Sequence, residues 1–178
     1  MHNMLDVVPI DETLYDKLQI FCNECNKLGY KNNASFEAMK LEWCKNWGEF
    51  FCIVIDNKIV SVSGCHPLPE VDNTAWRIFF RSCVLPKSLP FKGLHKGTNI
   101  KTRLYINKFI KYCPTNELYI TTNVQNNEYK HILRYHRSLE LESKQKNAHI
   151  KQVGQMKLYE TDQTIWKLNI ERFKEKYG

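Results

Sequence analysis

The spacing of apolar residues changes at about residue 48, and this change limits how the chain can fold. Between residues 14 and 47, apolar side chains recur every three or four positions, which predicts amphipathic helices at 14–28 and 33–47. Residues 50–55 and 58–65 are then apolar runs, separated by Asp56-Asn57, a two-residue turn typical of β-hairpins. A short apolar stretch at 4–10 predicts a strand before the helices. The first part of the chain therefore predicts the order β-α-α-β-β.

The remainder of the chain alternates strands and helices. Further strands are predicted at 75–85, 117–124, 150–159 and 164–170, and helices at 99–113 and from Asn126 onward. A turn at 160–163 joins the last two strands. The full order β-α-α-β-β-β-α-β-α-β-β requires a mixed α+β sheet, antiparallel in its first half and with one parallel pair around the helix at 99–113. We expect a single domain at 1–170 and a charged, frayed tail at 171–178.

Composition and charge narrow the class of protein further. The chain has 178 residues, with 26 Lys+Arg against 19 Asp+Glu, which gives a net charge of +7. Its 43% hydrophobic and 12% aromatic residues exclude a disordered or low-complexity protein. No apolar run reaches the ~18 residues of a membrane span, and the first residues lack the pattern of a secretion signal. We therefore expect a cytoplasmic protein with no membrane association.

The seven cysteines are scattered through apolar segments. An odd number without a secretion signal predicts reduced thiols that behave as small buried hydrophobes. The close pair Cys22-x-x-Cys25 has no second pair at zinc-ligand spacing, and it lies on the apolar stripe of a helix. We therefore interpret this pair as part of the core and expect no metal.

A basic loop at 86–98 stands before the helix predicted at 99–113. A helix N-terminus exposes N–H groups and carries partial positive charge, so it can hold a phosphate. Gly93 and Gly97 would let the backbone approach a ligand closely, and the loop contains four basic side chains, Lys87, Lys92, His95 and Lys96. A connecting loop between a strand and a helix, with no ligand, would have the same composition, so both interpretations stay open.

Together with the order of elements, this loop resembles the cofactor loop of the GCN5-related N-acetyltransferase (GNAT) superfamily, over about residues 4–170. In that family a pattern Arg/Gln-x-x-Gly-x-Gly/Ala surrounds the pyrophosphate of acetyl-CoA, and residues 94–99 correspond to it, with Gly97 at the central glycine. The resemblance implies helices on both faces of a mostly antiparallel sheet with a splayed parallel pair. It implies acetyl-CoA as cofactor, with these contact residues: Cys83, Val84, Leu85, Lys92, His95, Lys96, Gly97, Thr98, Asn99, Asn126 and Asn127.

A second family feature is an Asn after the fifth strand, followed by a helix that carries a Tyr. Asn126 or Asn127 resembles the residue that contacts the pantetheine arm, and Tyr135 resembles the general acid that protonates the departing CoA thiolate. Tyr129 is the alternative for this acid. A helix residue packed on the sheet would explain Tyr135 equally well.

The resemblance also implies a general base, because an amine must lose a proton to attack the thioester. The predicted fourth strand has no carboxylate between Thr74 and Leu85, so Glu70 and Asp72, just before it, are the catalytic candidates. His66 ends the third strand and is better explained as a turn residue.

Arg77 and Arg81 share one face of the strand at 75–85. If they face the acceptor, their guanidinium groups favour a substrate with a carboxylate or a phosphate. If they face solvent or pair with acidic side chains, they carry no information about the substrate.

The function implied is the transfer of an acetyl group from acetyl-CoA to a primary amine of a small molecule or peptide, by a monomer or homodimer. Two alternatives stay open: a GNAT-fold protein that binds ligands without catalysis, and a basic nucleic-acid-binding module. The second rests only on the charge of +7, since the basic residues are spread along the chain and form no nucleic-acid motif.

Overall fold

The computed structural model describes residues 6–27, 49–79, 100–123, 130–158 and 161–177. Strands β1–β7 comprise Val7–Pro9, Glu49–Ile55, Lys58–Pro67, Trp76–Phe79, Leu118–Thr122, Ile150–Leu158 and Thr161–Leu168, and helices α1–α4 comprise Tyr15–Lys27, Ile100–Tyr112, Lys130–Ser143 and Ile170–Tyr177. Strand pairing is mostly antiparallel, with one parallel pair, so the predicted mixed α/β class is confirmed. No helix in these ranges is long and apolar enough to cross a membrane.

The chain divides into two compact units, each built from two stretches of sequence. The first unit comprises Met1–Pro67 and Phe79–Cys113, and the second comprises Leu68–Ile78 and Pro114–Gly178.

In the first unit, β1, β2 and β3 form an antiparallel ribbon. The β2–β3 hairpin closes at Asp56 and Asn57, whose φ angles of 50° and 64° are those of the left-handed turn that two-residue hairpins prefer. Asp11 starts the helical segment, because its carboxylate accepts the Thr13 backbone N–H at 2.9 Å. The predicted hairpin and first helix are therefore confirmed.

Helix α1 packs its apolar face on this ribbon. Its residues Leu18, Phe21 and Cys22 form one buried cluster with residues of β2 and β3, namely Phe50, Cys52, Ile59 and Val62. Helix α2 adds Tyr105 and Phe109, both fully buried. The Tyr105 hydroxyl donates to Ser61 Oγ at 3.0 Å, and burial raises the pKa of Tyr105 well above its usual range. This polar pair in the core therefore satisfies both hydroxyl groups.

In the second unit, β4 pairs with β5 in parallel, and β5, β7 and β6 continue as antiparallel neighbours. The parallel pair around the helix at 99–113 was predicted and is confirmed. The predicted turn at 160–163 is wrong in part, because β7 begins at Thr161. The side chain of Gln163 is buried and donates to the Leu158 carbonyl at 3.3 Å, so a polar segment that resembles a turn belongs to the strand.

The expectation of a frayed tail is also wrong. Ile170–Tyr177 is helix α4, and its Phe173 is fully buried against the rings of His149 and Tyr177, with centroids 5.7 and 5.3 Å away. Glu142 of α3 lies 2.9 Å from His149 Nδ1 and 2.8 Å from Lys176 Nζ. Burial alone would raise the pKa of Glu142, but the hydrogen bond and charge of Lys176, together with His149, outweigh burial and lower it.

Other sequence predictions lie outside the described residues. They are the helix at 33–47, the basic loop at 86–98, and the part of the fourth strand beyond Phe79.

Gly64 offers a test of the hairpin packing. A Cβ at this position would lie 2.5 Å from the Phe50 ring and 2.9 Å from the Glu49 carbonyl oxygen, so Gly64→Ala must displace backbone or a buried ring. We expect a loss of about 1–3 kcal/mol in the free energy of unfolding, measured by urea denaturation. Gly154→Ala is the matched control, because nothing lies within 4 Å of its Cβ. Equal stability of the two variants would contradict the packing of Phe50 on Gly64.

Candidate active site

The parallel pair of the second unit is short. Among the described residues, β4 pairs with β5 only at Trp76–Leu118 and Arg77–Tyr119, although β4 continues to Phe79 and β5 to Thr122. The carboxyl ends of adjacent parallel strands are where ligands bind in open α/β sheets, because backbone groups and side chains meet there. The end of the β4–β5 ladder is therefore the candidate site.

Arg77 spans this end of the ladder. Its Nε donates to Thr121 Oγ1 at 2.7 Å, two residues beyond the last paired position of β5. Thr121 and Tyr119 lie on the same face of β5, because side chains alternate along a strand. The half-buried guanidinium therefore puts a fixed positive charge beside the end of β5.

A chain of hydrogen bonds lies on the other face of β5. Trp166 Nε1 donates to Thr122 Oγ1 at 2.9 Å, and this oxygen lies 2.7 Å from His136 Nδ1. His136 Nε2 lies 2.6 Å from Glu140 Oε1, one helical turn further along α3. The imidazole ring also packs edge-to-face on the Trp166 ring, with centroids 5.4 Å apart.

Within this chain of contacts the Trp166 indole can only donate, and a carboxylate such as that of Glu140 accepts. The two contacts of the His136 ring join the buried end of β5 to a carboxylate that is 46% exposed. A hydroxyl, an imidazole and a carboxylate in this order can move a proton or orient a helix.

Tyr135, the predicted general acid, precedes His136 on α3. Burial raises the pKa of its hydroxyl above the usual range. A tyrosine hydroxyl is protonated at neutral pH even without such a shift, and the raised pKa makes it a weaker acid.

The two predicted carboxylates lie in the turn before β4, and both are exposed. Asp72 Oδ1 accepts hydrogen bonds from the Thr74 N–H and Oγ1 at 2.8 and 2.9 Å, and these bonds lower the pKa of the carboxyl group. Asp72 thus shapes the turn that leads into β4. His66 is a buried residue of β3, and its Nδ1 lies 2.9 Å from the Pro67 carbonyl oxygen.

Sequence reasoning missed a cluster at the start of β5. Lys167 Nζ lies 2.8 Å from Glu117 Oε2, and the Tyr119 hydroxyl donates to the same oxygen at 3.2 Å. The hydrogen bond from Lys167 lowers the pKa of Glu117, and the same bond raises the pKa of Lys167. Lys167 lies 48 positions from Tyr119 and 50 from Glu117 along the chain, so no local signal in the sequence brings it to them.

All of the predicted cofactor contacts lie outside the described residues. They are Cys83, Val84, Leu85, Lys92, His95, Lys96, Gly97, Thr98, Asn99, Asn126 and Asn127, together with Arg81 of the acceptor side. Among the described residues, α2 begins at Ile100. In the described ranges, no group of three or more His, Cys, Asp or Glu side chains is placed to hold a metal ion.

The fold is that of the GNAT acetyltransferases. The chain is 12% identical to the aminoglycoside acetyltransferase AAC(6')-Ib in complex with coenzyme A and kanamycin, with a TM-score of 0.66 over 98% of this chain and 100% of that one. It is 14% identical to RimL, a ribosomal alpha-N-protein acetyltransferase in complex with coenzyme A, with a TM-score of 0.56 and coverage of 94% and 96%.

A GNAT-family acetyltransferase from Staphylococcus aureus Mu50 is 15% identical, with a TM-score of 0.57 over 94% of this chain and 99% of that one. The sequence matches no protein-family model and no curated protein. The relationship is therefore one of fold.

Thr122→Val tests the hydrogen-bond chain, since valine has the same shape but no hydroxyl. The change leaves the Trp166 N–H and His136 Nδ1 without the oxygen they share, and we expect a loss of about 1–3 kcal/mol in the free energy of unfolding, measured in urea. Ser138→Ala is the control, because its hydroxyl is exposed on α3, the helix that carries His136, and its removal costs at most about 0.5 kcal/mol. A Thr122→Val protein as stable as the control would contradict this network.

Proposed function

We propose that the chain is an acetyl-CoA-dependent N-acetyltransferase that transfers an acetyl group to a primary amine. One observation carries the proposal: among the described residues, the parallel β4–β5 ladder has two paired positions, in a chain that shares the GNAT fold over nearly its whole length. The thioester arm then lies at the end of this ladder. Two of the structures that share the fold contain coenzyme A, which supports the choice of cofactor.

The cofactor's pyrophosphate is proposed to bind at the loop before α2. Peptide N–H groups of residues 95–99 and the N-terminus of α2 supply donors and partial positive charge, which suit a dianionic phosphate pair. Lys92, His95 and Lys96 add to this field. Cys83, Val84 and Leu85 would contact the thioester through main-chain N–H groups, and Asn126 or Asn127 the pantetheine arm.

Proton transfer is proposed to involve Tyr135 and a carboxylate before β4. Tyr135 would protonate the departing thiolate, a role supported by its position on α3, the helix that follows β5. For the base, Glu70 is favoured over Asp72. Thr74 already occupies one oxygen of Asp72 and lowers its pKa, which makes that carboxylate a weaker base.

The acceptor is proposed to be an amine that also carries a carboxylate or a phosphate. The chain has a net charge of +7, which disfavours a polycationic acceptor, and Arg77 beside Thr121 offers a guanidinium for an anionic group. Arg81 would extend the same face. In this respect the proposed acceptor differs from kanamycin, the aminoglycoside bound in the AAC(6')-Ib structure.

Cofactor binding is tested by thermal denaturation with acetyl-CoA, CoA and a DNA duplex in parallel. At a concentration 100 times Kd, a ligand that binds only the folded chain stabilises it by about 2.7 kcal/mol, so we expect Tm to rise by several degrees with either CoA species. The duplex should act only at low salt, where screening is weak. A shift with duplex alone at physiological salt would instead favour the nucleic-acid alternative.

The Gly97→Asp variant tests, by the same thermal denaturation assay, whether the pyrophosphate binds at this loop. A carboxylate at this position repels phosphate, so we expect the shift with CoA to be lost. Gly154→Asp is the matched control, because a side chain there meets nothing within 4 Å. Equal CoA shifts in both variants would overturn the placement of the loop.

Tyr135→Phe tests the general acid. Removing a positioned proton donor should lower kcat about 100-fold or more with little change in KM for acetyl-CoA. The measurement is thiol release from acetyl-CoA, with whichever probe of a panel of amino acids, kanamycin and short peptides reacts fastest. Tyr112→Phe, at an exposed tyrosine of α2, is the control.

The outcomes separate the remaining alternatives. An unchanged kcat in Tyr135→Phe would remove Tyr135 from this role and leave Tyr129 to be tested. A wild-type protein that binds CoA but releases no thiol with any probe would favour the GNAT-fold binding protein without catalysis.

A further inference from the structure

Two buried cysteines of the first unit lie in direct contact. Cys65 Sγ of β3 is 2.8 Å from Cys113 Sγ, directly after α2, although 48 positions separate them in the chain. Both thiols are free, and their residues are 0% and 8% exposed. Unbonded carbon atoms at their optimal separation lie ~3.5–4.0 Å apart, while a disulfide bond is ~2.05 Å long. The two sulfur atoms are thus closer than ordinary packing places them.

The elements that carry these thiols hold them in place. Cys65 pairs with Glu49 in the β2–β3 ladder, and the Cys113 N–H donates to the Phe109 carbonyl at 2.9 Å. Both segments are therefore fixed by backbone hydrogen bonds rather than by the thiols themselves. A new bond between the sulfur atoms requires only a small approach of two side chains.

The pair also has a distinctive position in the chain path. Cys113 is the last residue of the first unit before the chain enters the second, and Cys65 stands two residues before Pro67, where the chain leaves the first unit earlier. A link between them would fasten these two exit points of the first unit to each other. Cys22 and Cys52, the other buried cysteines among the described residues, lie in the α1 and β2 core away from these exits.

We propose that Cys65 and Cys113 form an oxidation site at which a hydroperoxide closes a reversible disulfide. Cys113, the less buried thiol, attacks the peroxide; the O–O bond breaks, Cys113 becomes a sulfenic acid and one water is released. The Cys65 sulfur then attacks the Cys113 sulfur, the S–O bond breaks, and the thiol proton leaves with the hydroxide as a second water. Two thiols lose two electrons in total, and the peroxide gains them.

The environment of the Cys65 thiol makes its attack on Cys113, the second step, slow. The hydrogen bond to Cys113 and burial hold the pKa of the Cys65 thiol far above its ordinary range, so little thiolate forms at neutral pH. Reduced thiols therefore persist under mild conditions, and closure depends on sustained oxidant. This proposal does not depend on the acetyltransferase function.

The test is peptide mapping of the wild-type protein after treatment with hydrogen peroxide, without reductant. Trypsin releases residues 59–77 and residues 112–130 as peptides that each hold one cysteine, so the disulfide appears as a single linked pair. We expect this pair, with a mass about 2 Da below the sum of the reduced peptides, and its loss after dithiothreitol. Because a cross-link restricts the unfolded chain, we also expect the oxidised protein to melt roughly 5 °C or more above the reduced one.

Two variants test whether the disulfide is specific to Cys65 and Cys113. Cys65→Ser should give no linked peptides and leave Cys113 as an oxygenated, unlinked cysteine, whereas Cys22→Ala should form the link as the wild type does. Oxygenation of Cys113 in the wild type without linked peptides would overturn the proposal. So would peptides that link either cysteine mainly to a different one. The decisive peptide mapping uses the wild-type protein. Its result therefore supports or overturns the proposal whether or not the variants fold.

Discussion

The candidate site depends on where the parallel pairing of β4 and β5 ends. After Arg77 and Tyr119, the described strands run on without pairing to each other, although β5 stays bonded to β7 through Thr122. One edge of β5 is thus held in the sheet by its pairing with β7, while the other edge faces the candidate site. The groups near this end, Arg77 with Thr121 on one face and Thr122 with His136 on the other, are fixed by hydrogen bonds within the second unit.

The two faces of β5 differ in electrostatic character. Arg77 gives one face a permanent positive charge, since a guanidinium stays protonated in proteins. The opposite face carries the hydrogen-bond chain through Thr122 and His136, with the Glu140 carboxylate at its outer end. A ligand at the end of β5 would therefore meet fixed charge from one side and adjustable hydrogen bonds from the other.

Local signals in the sequence were sufficient for much of the fold. Asp56-Asn57 between two apolar runs predicted the β2–β3 hairpin, and a helix between two strands predicted the parallel pair. The start of β7 was missed, since Gln163 satisfies its amide inside the sheet, which polarity alone does not reveal. At the site, the four-residue spacing of His136 and Glu140 was visible in the sequence, but Thr122 and Trp166 reach His136 only through tertiary packing. The predicted cofactor loop lies outside the described residues, so it remains a prediction.

Helix α4 changes the meaning of the charged C-terminal segment. Just before this helix, the Asn169 N–H donates to the His149 carbonyl at 2.7 Å. Within it, Phe173 packs on the ring of His149, the residue before β6, and Lys176 pairs with Glu142 of α3. Local unfolding of this helix would expose a buried ring and separate an ion pair. A segment held in this way unfolds cooperatively with the elements that it contacts. The last helix therefore belongs to the same cooperative folding unit as the strands of the second unit, and it opens with them rather than before them.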